Sequence, residues 1–257
     1  MPQSFSTIAF VASAAPEAQD ALRELVARYG NTSPEDADIV VALGGDGFML
    51  QTLHGTMNSD KRVYGMNRGS VGFLMNDFSI DDLEERIAAS IENRFHPLRM
   101  VTTDENDDVS SALAINEVSL FRQSYQAAKL RVMVDGRERL EELSCDGLMV
   151  ATPVGSTAYN FSAHGPILPF EAPLLAMTPV SPFRPRRWRG ALLPDSAVVE
   201  VQVLEPEKRP VNAVADHQEV KSVRKVQIQQ ARDSTARLLS DRNRSWSDRI
   251  LAEQFAT

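Results

Sequence analysis

Cysteine is nearly missing from this chain: among 257 residues only Cys145 carries a thiol. An internal disulfide is therefore impossible, and a thiolate metal cluster is excluded. Excess basic charge is missing too. Lys and Arg number 27 against 35 Asp and Glu, a formal net charge of −8 with a pI near 5.1. That balance argues against a protein that grips nucleic acid by neutralising phosphates over a broad surface, though it leaves room for a small basic pocket. No apolar run approaches membrane-spanning length, and no basic segment leads into a long apolar core at the start. Repeats and low-complexity stretches are also lacking. These absences point to a cytoplasmic protein with neither a membrane nor a nucleic-acid partner. What is present, 43% hydrophobic and 24% charged residues, suits a folded protein of one large or two ordinary domains.

The first part of the chain alternates strand and helix patterns. Thr7–Ala12 and Ile39–Leu43 are short apolar runs that read as buried strands, and Arg62–Met66 reads as a third. Pro16 opens a helix with Ala18, Ala21, Leu22, Leu25 and Val26 on one face, closed by Gly30. A second helix begins near Gly47. Ser79 is expected to cap a third, whose Ile80, Leu83, Ile87 and Ile91 share a face. After Pro97 the style changes to short Val-, Ile- and Leu-rich segments separated by turn residues: Leu98–Thr103, Ser111–Arg122, Leu130–Val134, Leu148–Ala151, Val198–Leu204, Val211–Ala215 and Val220–Ile228. Asp135-Gly136 marks a hairpin. The acidic run Asp104–Asp108 reads as a solvated loop tip. The expected fold is an α/β N-terminal domain with a Rossmann-like parallel sheet, residues 1–97, followed by a predominantly β C-terminal domain, residues 98–257. The tail Ser245–Phe255 is expected to return to the first domain.

Three stretches carry chemistry. In the first, the strand Ile39–Leu43 ends in Gly44-Gly45-Asp46-Gly47 and leads straight into a helix. Glycines there let backbone N–H groups turn toward an anion, and the helix start adds its positive dipole end. A carboxylate in that place would repel the anion, so Asp46 is left to accept a proton, to hold a metal, or merely to cap the helix. In the second, Asp146-Gly147 begins a strand that runs into Thr152-Pro153-Val154-Gly155-Ser156-Thr157-Ala158-Tyr159-Asn160-Phe161-Ser162. Small residues let a flat ligand approach the backbone, while Ser156, Thr157, Ser162 and the Tyr159 phenol offer hydrogen bonds to a polar heterocycle or sugar. A plain turn followed by a capped helix explains Pro153 and Gly155 as well. In the third, Asn116 and Glu117 interrupt an apolar strand pattern, and neighbours on a strand face opposite ways. Glu117 could chelate two ribose hydroxyls and Asn116 could read a base edge, or both could serve internal hydrogen bonds.

Taken in order, Gly44-Gly45-Asp46-Gly47, then Gly65-Met66-Asn67-Arg68-Gly69-Ser70-Val71-Gly72-Phe73-Leu74, Asn116-Glu117, and Asp146-Gly147 through Tyr159 resemble the NAD kinases. The likeness spans roughly residues 40 to 170. The glycine–aspartate motif alone also occurs in diacylglycerol-kinase-like lipid kinases and phosphofructokinases, whereas the Thr-Pro-x-Gly-Ser-Thr-Ala-Tyr segment is much more specific. The resemblance implies two domains with the site in the cleft, and transfer of the γ-phosphoryl group of ATP to the 2′-hydroxyl of the adenosine ribose of NAD, giving NADP. It implies a divalent metal, Mg²⁺ or Mn²⁺, whose protein ligands it leaves unknown, and a homo-oligomer, dimer or tetramer. Carried over, Asp46 is the general base. Gly44, Gly45, Gly47, Asn67 and Arg68 lie on the phosphate side. Asn116, Glu117, Asp146, Ser156, Thr157, Ala158, Tyr159, Asn160 and Ser162 hold the dinucleotide, with Asp216 and Gln218 from a later Asp-His-Gln stretch.

The chain departs from the family pattern in places. Ser144-Cys145 stand where a basic residue or Gly commonly precedes the second Asp-Gly, and Val154 replaces a hydroxyl residue. His217 stands where many members have Gly. His54 reads as a packing or surface residue, His164 as either structural or substrate-facing, and Cys145 as inert. The basic run Arg184-Pro185-Arg186-Arg187-Trp188-Arg189 reads as an interface or effector element. Two alternatives remain at this stage: a lipid or sphingoid kinase built on the same glycine turn, and a dinucleotide sensor without catalysis.

Overall fold

The computed structural model describes residues 5–69, 72–242, 249 and 255. They fall into two compact units. The first holds the described residues up to Phe95 and those from Asp233 to Arg249, the second those from His96 to Arg232 and Phe255.

In the first unit β1 (Ile8–Ala12), α1 (Pro16–Tyr29), β2 (Ile39–Gly44), α2 (Asp46–Thr56) and β3 (Arg62–Asn67) follow one another, then α3 (Leu83–Ala89) and β4 (Ile91–Phe95). Helix α1 starts with Pro16 in its first turn, where the missing N–H costs nothing. It stops at Gly30, whose φ of 75° suits glycine, with Ala18, Ala21 and Leu25 buried beneath it. Strand β2 is buried along its whole length, as expected of a central parallel strand covered on both faces. It pairs in parallel with β1 and β3. A strand from far along the chain, Ala236–Ser240 (β17), then adds in parallel beside β3, with Leu238 opposite Val63 and Leu239 opposite Tyr64. β4 closes the edge antiparallel to β17. The core gathers Phe10, Leu25, Ile39, Leu43, Tyr64, Met66, Leu83, Ile87 and Leu239.

Two sequence expectations need correction in this unit. The third helix begins at Leu83, not at Ser79, because Asp82 takes a left-handed conformation, φ 55°, just before it. Ile91 is not on that helix. Ser90 turns extended, ψ 161°, and Ile91 starts β4 opposite Ser240 with its side chain exposed. The expected return of the tail Ser245–Phe255 falls almost wholly outside the described residues.

The second unit is a pair of six-stranded antiparallel sheets. One runs β12 (Ala191–Pro194), β11 (Leu174–Val180), β10 (Gly147–Ala151), β7 (Glu117–Arg122), β14 (Val211–Ala215), β15 (Gln218–Val220). The other runs β6 (Val109–Ala114), β5 (Leu98–Asp104), β16 (Val223–Gln230), β13 (Val199–Val203), β8 (Ala128–Val134), β9 (Arg137–Cys145). Alternate residues of β8 (Ala128, Leu130, Val132, Val134) meet Leu120, Leu148, Val150, Val201 and Val226 in one shared core. Asp135 and Gly136 turn the β8–β9 hairpin with φ of 52° and 71°, the primed turn that matches strand twist. The segment Ser111–Arg122 is not one strand, as the sequence suggested. The chain leaves one sheet at Ala114, crosses at Ile115-Asn116, and enters the other at Glu117. A four-residue helix, α4 (Tyr159–Ser162), and a single 3₁₀ turn at Gly155–Thr157 follow β10.

Candidate active site

The first group of candidates surrounds the end of β2. Gly45 is extended, φ −110° and ψ −174°, and occupies the N-cap of α2 without any side-chain cap. Arg68 N–H donates to the Gly44 carbonyl at 2.8 Å, and a Cβ at Gly69 would come within 3.2 Å of Gly45 Cα. The Asn67–Gly69 turn is thus stitched tightly to the glycine turn, and Asn67 Oδ1 accepts the Gly69 N–H at 2.9 Å. Arg68 stacks its guanidinium 3.8 Å over the Phe78 ring. Asp46 is the first residue of α2, yet it does not cap that helix. Its Oδ2 accepts the Phe73 N–H at 2.7 Å and its Oδ1 the Leu74 N–H at 2.8 Å. The first turn of α2 therefore keeps N–H groups free of side-chain caps, with the helix dipole behind them. Burial lifts the Asp46 carboxyl above its ordinary value, opposed by the N–H groups of Leu74 and Phe73 and by the positive charge of Arg249.

The second group lies in the β-rich unit. Asp216 sits in the two-residue turn between β14 and β15 with φ 51°. Its carboxylate accepts the backbone N–H groups of Ile115 (2.6 Å), Asn116 (2.9 Å) and Glu117 (3.3 Å). It thereby satisfies the donors left over where the chain crosses between sheets, and so fixes the two polar residues beside it. Glu117 Oε2 is buried and has no hydrogen-bond partner among the described residues. Burial, and secondarily the charge of Asp216, push this carboxyl up to about 7.

Within the loop after β10, Thr152 Oγ1 donates to Ile115 O at 2.7 Å and accepts the Gly155 N–H at 3.1 Å. Gly155 packs so closely on Asn116 that a Cβ would lie 2.2 Å from its carbonyl oxygen. Ser156 donates to Pro153 O (2.7 Å) and accepts the Leu168 N–H (2.9 Å). Asn160 donates to Ser156 O (3.1 Å) and Pro166 O (3.0 Å) and accepts from Thr178 Oγ1 (2.7 Å). Those two side chains are spent inside the loop and shape it. Thr157 and Ala158 are half-buried and Ser162 is exposed. Tyr159 presents its ring, 44% exposed, 5.8 Å from that of Phe121. Gln218 is exposed on edge strand β15.

Arg122, which the sequence did not single out, pairs with Asp146 through Nε at 2.5 Å. A cation thus meets that carboxylate although Ser144-Cys145, not a basic residue, stand immediately before it. Arg249 was missed as well, since nothing in its local sequence connects it with Asp46. Cys145 is buried and its thiol pushed up to about 12 by burial, so it is not a nucleophile at neutral pH. His54 is half-buried on α2, and His164 is exposed just after α4 with φ 63°. In the basic run, Arg184 bridges to Ser144 of β9, Trp188 packs against the core, and Arg186 lies 5.0 Å from the Phe183 ring. Among the described residues no three His, Cys, Asp or Glu side chains gather as a metal cage. No helix there is long and apolar enough to cross a membrane.

Comparison with known proteins adds two family matches: the ATP-NAD kinase N-terminal domain over residues 7–95 and the ATP-NAD kinase C-terminal domain over residues 115–238. An NAD kinase of Rhizobium meliloti (strain 1021) is 68% identical, with all of both chains covered. The crystal structure of yeast NADH kinase complexed with NADH superposes with a TM-score of 0.83 at 20% identity, covering 98% of this chain and 87% of the yeast one. An Archaeoglobus fulgidus NAD kinase in complex with ATP gives 0.77 at 22% identity, covering 95% and 98%. At those identities the two structures speak for the fold.

Proposed function

From the premise that the chain belongs to the ATP-NAD kinase family and is an NAD kinase, we propose that Asp46 is its general base, acting on the 2′-hydroxyl of the adenosine ribose. The observation that carries this reading is the posture of Asp46 itself. Its carboxylate stands at the head of an uncapped helix, is held by two backbone N–H groups and touches no phosphate-binding amide of its own turn. A ribose hydroxyl is a poor nucleophile at neutral pH. A carboxylate lifted by burial takes its proton more readily as the bond to phosphorus forms, and help of this kind contributes about 10²- to 10⁴-fold. The remainder comes from positioning and from neutralising the phosphates. The glycine N–H groups at Gly44–Gly47 and the dipole of α2 would meet the ATP phosphates, with Asn67 and Arg68 on the adjoining turn.

In the same reading Glu117, with a buried oxygen that no donor of the described residues reaches, accepts ribose hydroxyls, while Asn116 reads the base edge. Asp146, Thr157, Ala158, Tyr159 and Ser162 line the dinucleotide, and Gln218 reaches it from the β15 edge. Asp216, Ser156 and Asn160 hold these residues in place. A divalent ion, Mg²⁺ or Mn²⁺, would be held mainly by the ATP phosphates, since such ions are often bound by one or two carboxylates plus substrate, and would supply charge neutralisation there. We place the enzyme in the cytoplasm as a dimer or tetramer, with the Arg184–Arg189 run as a subunit contact. Replacing Arg186 and Arg187 by Ala should then lower the mass measured in solution, and an unchanged mass contradicts that contact.

The test of the base role is Asp46→Asn. It is expected to keep NAD affinity within several-fold and to lose at least about a hundredfold in kcat. Near-normal turnover removes Asp46 from this role.

A further inference from the structure

Asp46 is held by one short run of backbone, and that run is gripped in turn from near the C-terminus. Arg249 Nη1 donates to the Phe73 carbonyl at 2.5 Å, and its Nη2 reaches Asn76 Oδ1 at 3.4 Å. The Phe73 carbonyl and the Leu74 N–H are the two ends of a single planar peptide group. A guanidinium thus donates into one end while the other end donates to Asp46 Oδ1 at 2.8 Å. Hydrogen bonds in such a chain polarise one another. Positive charge at the carbonyl makes the Leu74 N–H a better donor, which favours the ionised carboxylate over the neutral acid.

The relay is rigid. Asn76 is fully buried, and its Nδ2 donates to Leu239 O of β17 at 3.1 Å while its Oδ1 accepts the Asp241 N–H at 2.9 Å. Its backbone N–H donates to Gly65 O (2.8 Å) and its carbonyl accepts the Asn67 N–H (2.9 Å). A Cβ at Gly72 would lie 2.8 Å from Met75 Cβ and 2.9 Å from Asn67 Cγ. The segment Gly72–Asn76 is therefore fixed to both β3 and β17, so a push from Arg249 is not dissipated by loop movement.

We propose that Arg249 is a positioning residue for phosphoryl transfer, holding Asp46 in place and in its ionised form through the Phe73–Leu74 peptide group. The proposal rests on Asp46 being the base. Around that carboxylate the Gly72–Asn76 segment and the first turn of α2 offer no titratable side chain. Arg68, on the turn stitched to Gly45, is stacked on Phe78, and Arg249 supplies the charge that opposes burial.

The experiment is a ¹³C-carboxylate NMR titration of the aspartate-labelled full chain, with Asp46→Asn to assign the signal, alongside pH profiles of kcat. Arg249→Gln is expected to raise the Asp46 titration by about one pH unit. The acidic limb of kcat should move up equally, so that kcat at pH values below the wild-type limb should fall roughly tenfold, with KM for NAD within about twofold. Arg249→Lys keeps the charge but loses the planar fork, and should fall between wild type and Gln. A folded Arg249→Gln protein that leaves both titration and limb unmoved overturns the proposal. So does failure of both variants to fold, which would make Arg249 a stability element. A titration that moves while the kinetic limb stays put supports the relay and contradicts Asp46 as the base.

Discussion

Replacing Glu117 by Gln should make the ligand-free protein more stable above neutral pH while weakening its hold on NAD. Glu117 has a buried oxygen with no donor among the described residues, and its carboxyl is raised from an ordinary 4.5 to about 7. The folded chain therefore binds this proton more tightly than the unfolded chain does. The stability linked to it is fully present below about pH 4.5 and is lost as pH rises through about 7. At about 1.4 kcal/mol per pH unit the full loss is about 3 kcal/mol, an upper figure because water and ions relax around the charge. Glutamine keeps the shape and has no proton to lose. Thermal melting of both proteins from pH 5 to pH 9 should give curves that meet at the acid end and part above neutrality, by about 5–10 °C at pH 9. NAD affinity should fall by about tenfold, the loss expected of a charge-assisted hydrogen bond. Parallel melting curves, or a Gln variant less stable at pH 9, would refute the argument.

Other consequences follow from the same geometry. Asp216→Ala strips the acceptor from the N–H groups of Ile115, Asn116 and Glu117, so it should cost about 2–3 kcal/mol in denaturant unfolding and raise KM for NAD. An unchanged KM would mean that the crossing segment holds its shape without that turn. Gly155→Ala would drive a Cβ against the Asn116 carbonyl, 2.2 Å away, and should raise KM for NAD at least about tenfold. Wild-type kinetics in that variant would show that the close approach is dispensable.

Local sequence carried much of this fold. Pro16 and Gly30 bracket α1, the apolar run before Gly44 is the fully buried β2, and Asp135-Gly136 turns a hairpin. The failures share a cause, which is partnership over long sequence distance. Ile91 fits helical spacing with Leu83 and Ile87, yet it opens a strand because Ser240 lies opposite. β17 joins the first sheet from more than 130 residues beyond β4's end, and no local pattern announces which sheet a five-residue segment such as Ala236–Ser240 will choose. Ser111–Arg122 looks continuous because largely apolar runs, Ala112–Ile115 and Val118–Phe121, lie on both sides of Asn116-Glu117. The break is made by Asp216, about 100 residues later. The candidate site was legible as motif and less so as function of individual atoms. Ser156 and Asn160 belong to the loop signature, but their bonds to Leu168, Pro166 and Thr178 could not be read from it. Capping its helix was one of the roles open to Asp46 in sequence, but the Phe73 and Leu74 N–H groups claim both its oxygens.

The measurement that bears most directly on the central claim is the separation between the Asp46 carboxylate and the ribose 2′-oxygen in a crystal of the enzyme with NAD and a non-hydrolysable ATP analogue. One carboxylate oxygen should lie about 2.6–3.2 Å from that hydroxyl, with the other still accepting a backbone N–H. A 2′-hydroxyl well beyond hydrogen-bond reach of Asp46 in every copy, with both nucleotides bound, would contradict the account.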